Sequence, residues 1–119
     1  MGKIAAVLVV DDEPIAREAM VNLFDQAGCK VFDAFNGADA LAILERHPEI
    51  SILVTDVLMA GMPGTELAAE ARLRRKDLRI ILTSGKPYDA ASNDNVLFVA
   101  KPWRAAEVHL LLGDLLQYG

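Results

Sequence analysis

The chain has 119 residues, 53% of them apolar and 24% charged, with a formal net charge of -5 and a sequence pI near 4.9. That length suits one compact domain with a real core and is too short for two, so residues 1–119 read as a single domain. The acidic balance argues against a general nucleic-acid binder or a binder of anionic membranes, since both need basic surface.

The apolar run Ile4 to Val10 stops at Asp11-Asp12 and reads as a first strand. Ala16, Ala19, Met20, Leu23 and Phe24 then recur at helical spacing, with Gly28 as the stop. Lys30 to Phe35 reads as a second strand, Asn36 as a helix cap, and Gly37 to His47 as a helix ending before Pro48. Ile50 to Val54 is a third strand that stops at Thr55-Asp56. Thr65 to Arg75 carries Leu67, Ala68 and Ala71 on one helical face. Ile80 to Leu82 stops at Thr83, and Val96 to Ala100 stops at Lys101. From Arg104 onward, Val108, Leu111, Leu112 and Leu115 mark a terminal helix.

Between the last two strands, Gly85-Lys86-Pro87-Tyr88 and Asp89 to Asn95 favour turns and caps over helix interiors, so the expectation there is a loop or one helical turn. Elsewhere strand and helix alternate. Continuous aliphatic runs such as Val7-Leu8-Val9-Val10 suit strands buried on both faces, as helical crossovers require. The pattern predicts an α/β fold with a doubly wound five-stranded parallel sheet and a shortened or irregular fourth helix.

No apolar run approaches the ~18 residues of a membrane span, and the lone Cys29 has no internal disulfide partner. Both fit a soluble protein of the cytoplasm, with no membrane partner and no direct nucleic-acid partner.

Four of the apolar runs end on polar residues that an open parallel sheet would gather at its carboxyl edge, where such sheets bind ligands. Asp11, Asp12 and Asp56 would converge there, and carboxylates within ~4 to 6 Å of one another need a cation to stay ionised. All-oxygen ligands with few protein carboxylates suit Mg²⁺, with Mn²⁺ able to substitute. With charge neutralised, one carboxylate can attack a phosphoryl group while Lys101 and the Thr83 hydroxyl hold phosphate oxygens; the expected nucleophile is Asp56.

The Val10-Asp11-Asp12-Glu13-Pro14 start, the stretch from Asp56 to Leu67, Thr83-Ser84 and Lys101-Pro102 together resemble the receiver domain of two-component response regulators, over essentially the whole chain. The resemblance implies the flavodoxin-like strand order 2-1-3-4-5. It also implies that Asp56 is the phosphoacceptor, that Asp12 and Asp56 bind Mg²⁺ directly with the backbone carbonyl of Leu58, and that Asp11 completes the acidic pocket. Thr83 and Lys101 would contact the phosphoryl group. Phe98, three positions before the lysine, would be the aromatic switch residue, and the Lys101-Pro102 bond would be cis. The implied partners are a histidine kinase or a histidine phosphotransfer protein upstream, and an output protein or attached domain downstream. Such a domain catalyses its own phosphorylation and slow autodephosphorylation and is not a turnover enzyme. Leu58 carries no polar group to position water, so the phosphoryl state is expected to last.

This chain departs from the pattern in the loop after Asp56, where Ala60 replaces a proline and Pro63 an aspartate, and in its short interval from Thr83 to Lys101. Taken singly, each residue also has a plainer role: a helix cap for Asp12 or Asp56, a turn hydroxyl for Thr83, a solvated lysine for Lys101, core for Phe98. Trp103 reads as packing the start of the last helix, His47 and His109 as structural, and Arg72, Arg74, Arg75, Lys76 and Arg79 as a solvated basic helix end. Three rival functions fit the residues less well. A flavodoxin-type binder would need a phosphate-cradling loop where two acids stand, and an aspartate-nucleophile phosphatase would need an acid at Leu58. The third is a receiver-like interaction module that is never phosphorylated, against which the intact set Asp11, Asp12, Asp56, Thr83 and Lys101 speaks.

Overall fold

The computed structural model describes residues 5–85 and 96–118, with side chains described through residue 113. Its elements run β1 (Ala6–Val10), α1 (Pro14–Gln26), β2 (Lys30–Ala34), α2 (Gly37–Arg46), β3 (Ile50–Asp56), α3 (Gly64–Arg74), β4 (Arg79–Ser84), β5 (Val96–Ala100) and α4 (Ala105–Tyr118). All strand pairs are parallel and the order is β2-β1-β3-β4-β5, as the alternation and the resemblance required. The shortened helix expected between β4 and β5 lies outside the described residues.

Strand position explains strand composition. Every residue of β1 is buried, and β4 is buried after its first residue, because helices cover both faces of the inner strands. The edge strands β2 and β5 are exposed or half-buried throughout, apart from the buried Ala34. Phe35 was expected inside β2 but falls beyond it and is exposed, because Asn36 begins the next helix: its side-chain oxygen accepts the Asp39 N–H at 2.7 Å.

The two faces of the sheet have separate cores. Leu8, Val10, Leu53, Ile80 and Leu82 pack against Leu41 and Leu44 of α2 and Leu67 and Ala71 of α3. Val7, Val9, Ile52, Val54 and Ile81 pack against Met20 and Phe24 of α1 and Val108 and Leu112 of α4. Each fully buried side chain of this size contributes about 2 kcal/mol of transfer free energy. Side chains alternate along strands, so this division also sorts the polar residues at the strand ends. Asp11 continues the series of Val7 and Val9, Asp56 that of Ile52 and Val54, Thr83 that of Ile81, and Lys101 that of Val99. All four belong to the α1/α4 face. Phe98 packs with the other core, on the α2/α3 face.

The basic cluster is not simply solvated. Arg75 donates to the carbonyls of Leu44, Pro48 and Ile50, tying the end of α2 to the start of β3. Arg74 pairs with Glu45 at 2.6 Å, and Arg72 donates to the Lys76 carbonyl. These guanidiniums satisfy backbone and acid groups that a helix end and loop leave open. His47 packs against Phe32 with ring centroids 4.4 Å apart and the rings tilted by 39°.

Candidate functional site

β2 and β3 flank β1 on opposite sides, so the strand order reverses there, and the crevice between the carboxyl ends of β1 and β3 is where such a sheet opens. Asp11 follows β1 there and is buried. Its Oδ1 accepts the Glu13 N–H at 2.9 Å and its Oδ2 accepts from Lys101 Nζ at 2.7 Å. Arg17 Nη1 donates to the Asp11 carbonyl at 2.9 Å while its Nε donates to Asp33 Oδ2 at 3.0 Å. Asp11 is thus anchored through both side chain and backbone. Asp12 is exposed, and its Oδ2 accepts the Ala60 N–H at 2.9 Å. Neither acid caps α1, whose N-cap residue is Glu13 and whose first position is Pro14.

Asp56 is the last residue of β3, its side chain 13% exposed. Its Oδ2 lies 3.4 Å from Lys101 Nζ and its Oδ1 3.4 Å from the Leu58 N–H. One carboxylate oxygen from each of Asp11, Asp12 and Asp56 falls within 4.8 Å of the others. The loop that follows is shaped by two glycines. Gly61 has φ +80°, a region that favours glycine. Gly64 lies so close to the preceding turn that an added Cβ would stand 1.9 Å from the Asp56 carbonyl oxygen, and its N–H donates to the Val57 carbonyl at 3.0 Å. The Val57 N–H in turn donates to the Thr83 carbonyl at 2.9 Å, joining the acid turn to β4.

Burial raises the Asp56 pKa; the Lys101 charge opposes the rise and the Asp11 charge adds to it. For Lys101 burial alone would lower the pKa, but the hydrogen bond and charge of Asp11, followed by those of Asp56, outweigh it and the net shift is upward. The pocket therefore holds a firmly charged ammonium between two acids. Three carboxylates against one ammonium, -3 and +1, leave a formal charge of -2. Hard oxygen donors with that charge fit a divalent ion such as Mg²⁺.

The sheet brings Asp11, Asp12, Asp56 and Lys101 together as the strand ends suggested. Thr83 sits beside Asp56 in register on β4, 2% exposed, but its Oγ1 accepts a hydrogen bond from Trp103 Nε1 at 2.9 Å. Leu58 is exposed at the pocket mouth, and Lys101-Pro102 is cis as expected. Trp103 is buried and packs on Phe24 with ring centroids 5.7 Å apart, so the packing expected of it is present together with a polar contact that was not expected. Sequence reading also missed Arg17, whose reach to Asp33 follows no local spacing, and the Ala60 N–H. For the latter a signal existed: proline at that position would have no N–H to give Asp12.

The family model described as the response regulator receiver domain matches residues 7–112. The chain is 31% identical over 119 residues to the sensor kinase CckA of Brucella abortus, covering 95% of this chain and 13% of that protein. It is 35% identical over 89 residues to the response regulator receiver protein CpdR of the same organism, covering 75% and 73%. The chain thus spans about an eighth of CckA and nearly three quarters of CpdR. Among solved structures, the response regulator TrrA of Thermotoga maritima in complex with Mg²⁺ and BeF superposes with a TM-score of 0.81 at 29% identity, covering 95% of this chain and 100% of that one. The same TrrA in complex with the histidine kinase ThkA gives a TM-score of 0.81 at 29% identity, covering 95% and 99%.

Proposed function

The chain belongs to the response regulator receiver domain family of two-component signalling, and from that premise we propose that Asp56 accepts a phosphoryl group from a phosphohistidine of a kinase or phosphotransfer protein. The observation that carries this reading is the meeting of Asp11, Asp12 and Asp56 with Lys101 at the carboxyl edge of the sheet. A receiver is a signalling protein, and the finer chemistry is proposed as follows.

An Asp56 carboxylate oxygen attacks phosphorus, the new O–P bond forms as the P–N bond to the donor histidine breaks, and the imidazole leaves with the bonding pair. Lys101, already beside Asp56, holds a phosphoryl oxygen and balances its charge. Thr83 supplies a second contact from the adjacent strand. Asp12, Asp56 and the Leu58 carbonyl would hold Mg²⁺, which when bound supplies charge neutralisation at the transferring group. Asp11, fixed by Glu13 and Arg17, keeps Lys101 placed and charged.

The added charge then biases a two-state surface through Thr83 and Phe98, read by an output partner or attached domain. The complex of TrrA with the kinase ThkA supports a kinase as upstream partner. Among the described residues no helix is long and apolar enough to cross a membrane, and we place the domain with its kinase partner in the cytoplasm.

The test is incubation with acetyl phosphate and Mg²⁺, read by intact mass, with a chelator control. One phosphoryl adduct that needs the metal supports the reading; no adduct, or one indifferent to the chelator, overturns it.

A further inference from the structure

We infer that Trp103 is a positioning residue for the Thr83 hydroxyl: its indole N–H latches the hydroxyl oxygen, and a swing of Thr83 toward a phosphoryl group on Asp56 must break that bond. The inference rests on Asp56 being the phosphoacceptor. Thr83 and Asp56 are register partners on adjacent strands, and strand alternation puts both side chains on the α1/α4 face. The Thr83 side chain therefore stands beside Asp56 on the face that carries the acid pocket. In this structure its hydroxyl oxygen is bonded to Trp103 Nε1 at 2.9 Å.

That bond is costly to leave. Trp103 is 8% exposed and Thr83 2% exposed, so water has little access to either group. Indole nitrogen only donates, and Thr83 Oγ1 is the acceptor it finds among the described residues. If Thr83 swings toward a phosphoryl oxygen, a buried N–H loses its partner, and the penalty opposes the swing. The ring also packs on Phe24 of α1, and Trp103 lies two residues before the start of α4. Release of the bond would be felt at both helices, on the sheet face opposite Phe98. Trp103 thus sets how readily the site engages its phosphoryl group and gives the event a second outlet.

The experiment measures binding of beryllofluoride with Mg²⁺, a phosphoryl mimic, by calorimetry on the native chain and on Trp103→Phe, Thr83→Val and the double variant. Removing the latch is expected to tighten binding about tenfold in Trp103→Phe. The same change should have no effect in the Thr83→Val background, where a purely structural role of the indole would still act. On the native chain, hydrogen exchange of the single indole N–H should quicken when beryllofluoride binds. Unchanged or weaker binding by Trp103→Phe, an equal effect in both backgrounds, or an indole N–H that stays equally protected overturns the latch while leaving the phosphoacceptor reading intact. No binding by the native chain overturns that reading, and the latch with it.

Discussion

Lys101 Nζ lies 2.7 Å from Oδ2 of Asp11, closer than to the carboxylate of Asp56 at 3.4 Å. The ammonium is thus anchored on Asp11 and left within reach of Asp56, the proposed acceptor. A lysine held only by Asp56 would have to give up its partner as the carboxylate became an acyl phosphate. Anchored on Asp11, it would keep its partner through the proposed transfer.

Substitution of Lys101 should therefore weaken the metal-free fold. Lys101→Met leaves Asp11 buried beside Asp56 with no counter-charge, and the expected loss is about 1 to 2 kcal/mol at neutral pH, the pair being partly exposed. Because the folded-state pKa of Lys101 is raised, its contribution is fully present below the unfolded value near 10.5 and disappears as pH climbs through the folded value. Denaturant titration checks this, with Mg²⁺ expected to restore part of the loss. Equal stability of the variant without metal would contradict it.

Asp56 has the opposite effect on stability in the absence of added metal. Burial raises its pKa, with Lys101 opposing and Asp11 assisting, so the folded state binds the proton more tightly than the unfolded one. Its contribution is present below the unfolded pKa, near 3.9, and is lost as pH rises through the raised folded value. At neutral pH the ionised group costs stability. Asp56→Asn should raise the melting temperature without metal by a few degrees at neutral pH, with the gain shrinking in acid and in the presence of Mg²⁺. Calorimetric melting at two pH values measures it, and a lower melting temperature for the variant at neutral pH would refute it.

Gly64 supports the acid turn by having no side chain. A Cβ there would meet the Asp56 carbonyl oxygen at 1.9 Å, a backbone atom that cannot step aside without moving Asp56, the proposed acceptor. Gly64→Ala should cost about 1 to 3 kcal/mol, the range for overpacking. It should also weaken Mg²⁺ binding, which a calorimetric titration would detect. Native-like values for both would show that the turn is not constrained at this point.

The strand ends were readable because their chemistry lies on the chain in order: an apolar run, then Asp11-Asp12; another, then Asp56; then Thr83 and Lys101. A parallel sheet turns that order into proximity. What the sequence could not supply were contacts set by tertiary packing. Arg75 read as one of several solvated cations, yet it binds three carbonyls across α2 and β3. Trp103 read as packing because an indole's apolar surface is visible in a sequence pattern while the target of its N–H is not. Ala60 could be noticed as a missing proline, but its bond to Asp12 depends on how the loop closes.

Leu58 should make the phosphoryl state durable. It stands exposed at the pocket mouth with no polar group to orient water toward the acyl phosphate. Leu58→Asn is expected to shorten the phosphoryl half-life several-fold, followed by the decay of the adduct in intact mass spectra. Rapid decay of the native adduct with no phosphatase present would contradict this.

Asp56 as the acceptor is decided by comparing the native chain with Asp56→Asn after identical incubation with acetyl phosphate and Mg²⁺, weighing both intact by mass spectrometry. A single phosphoryl adduct on the native chain and none on the variant is the expected result. An equal adduct on both, or none on either, would place the chemistry elsewhere.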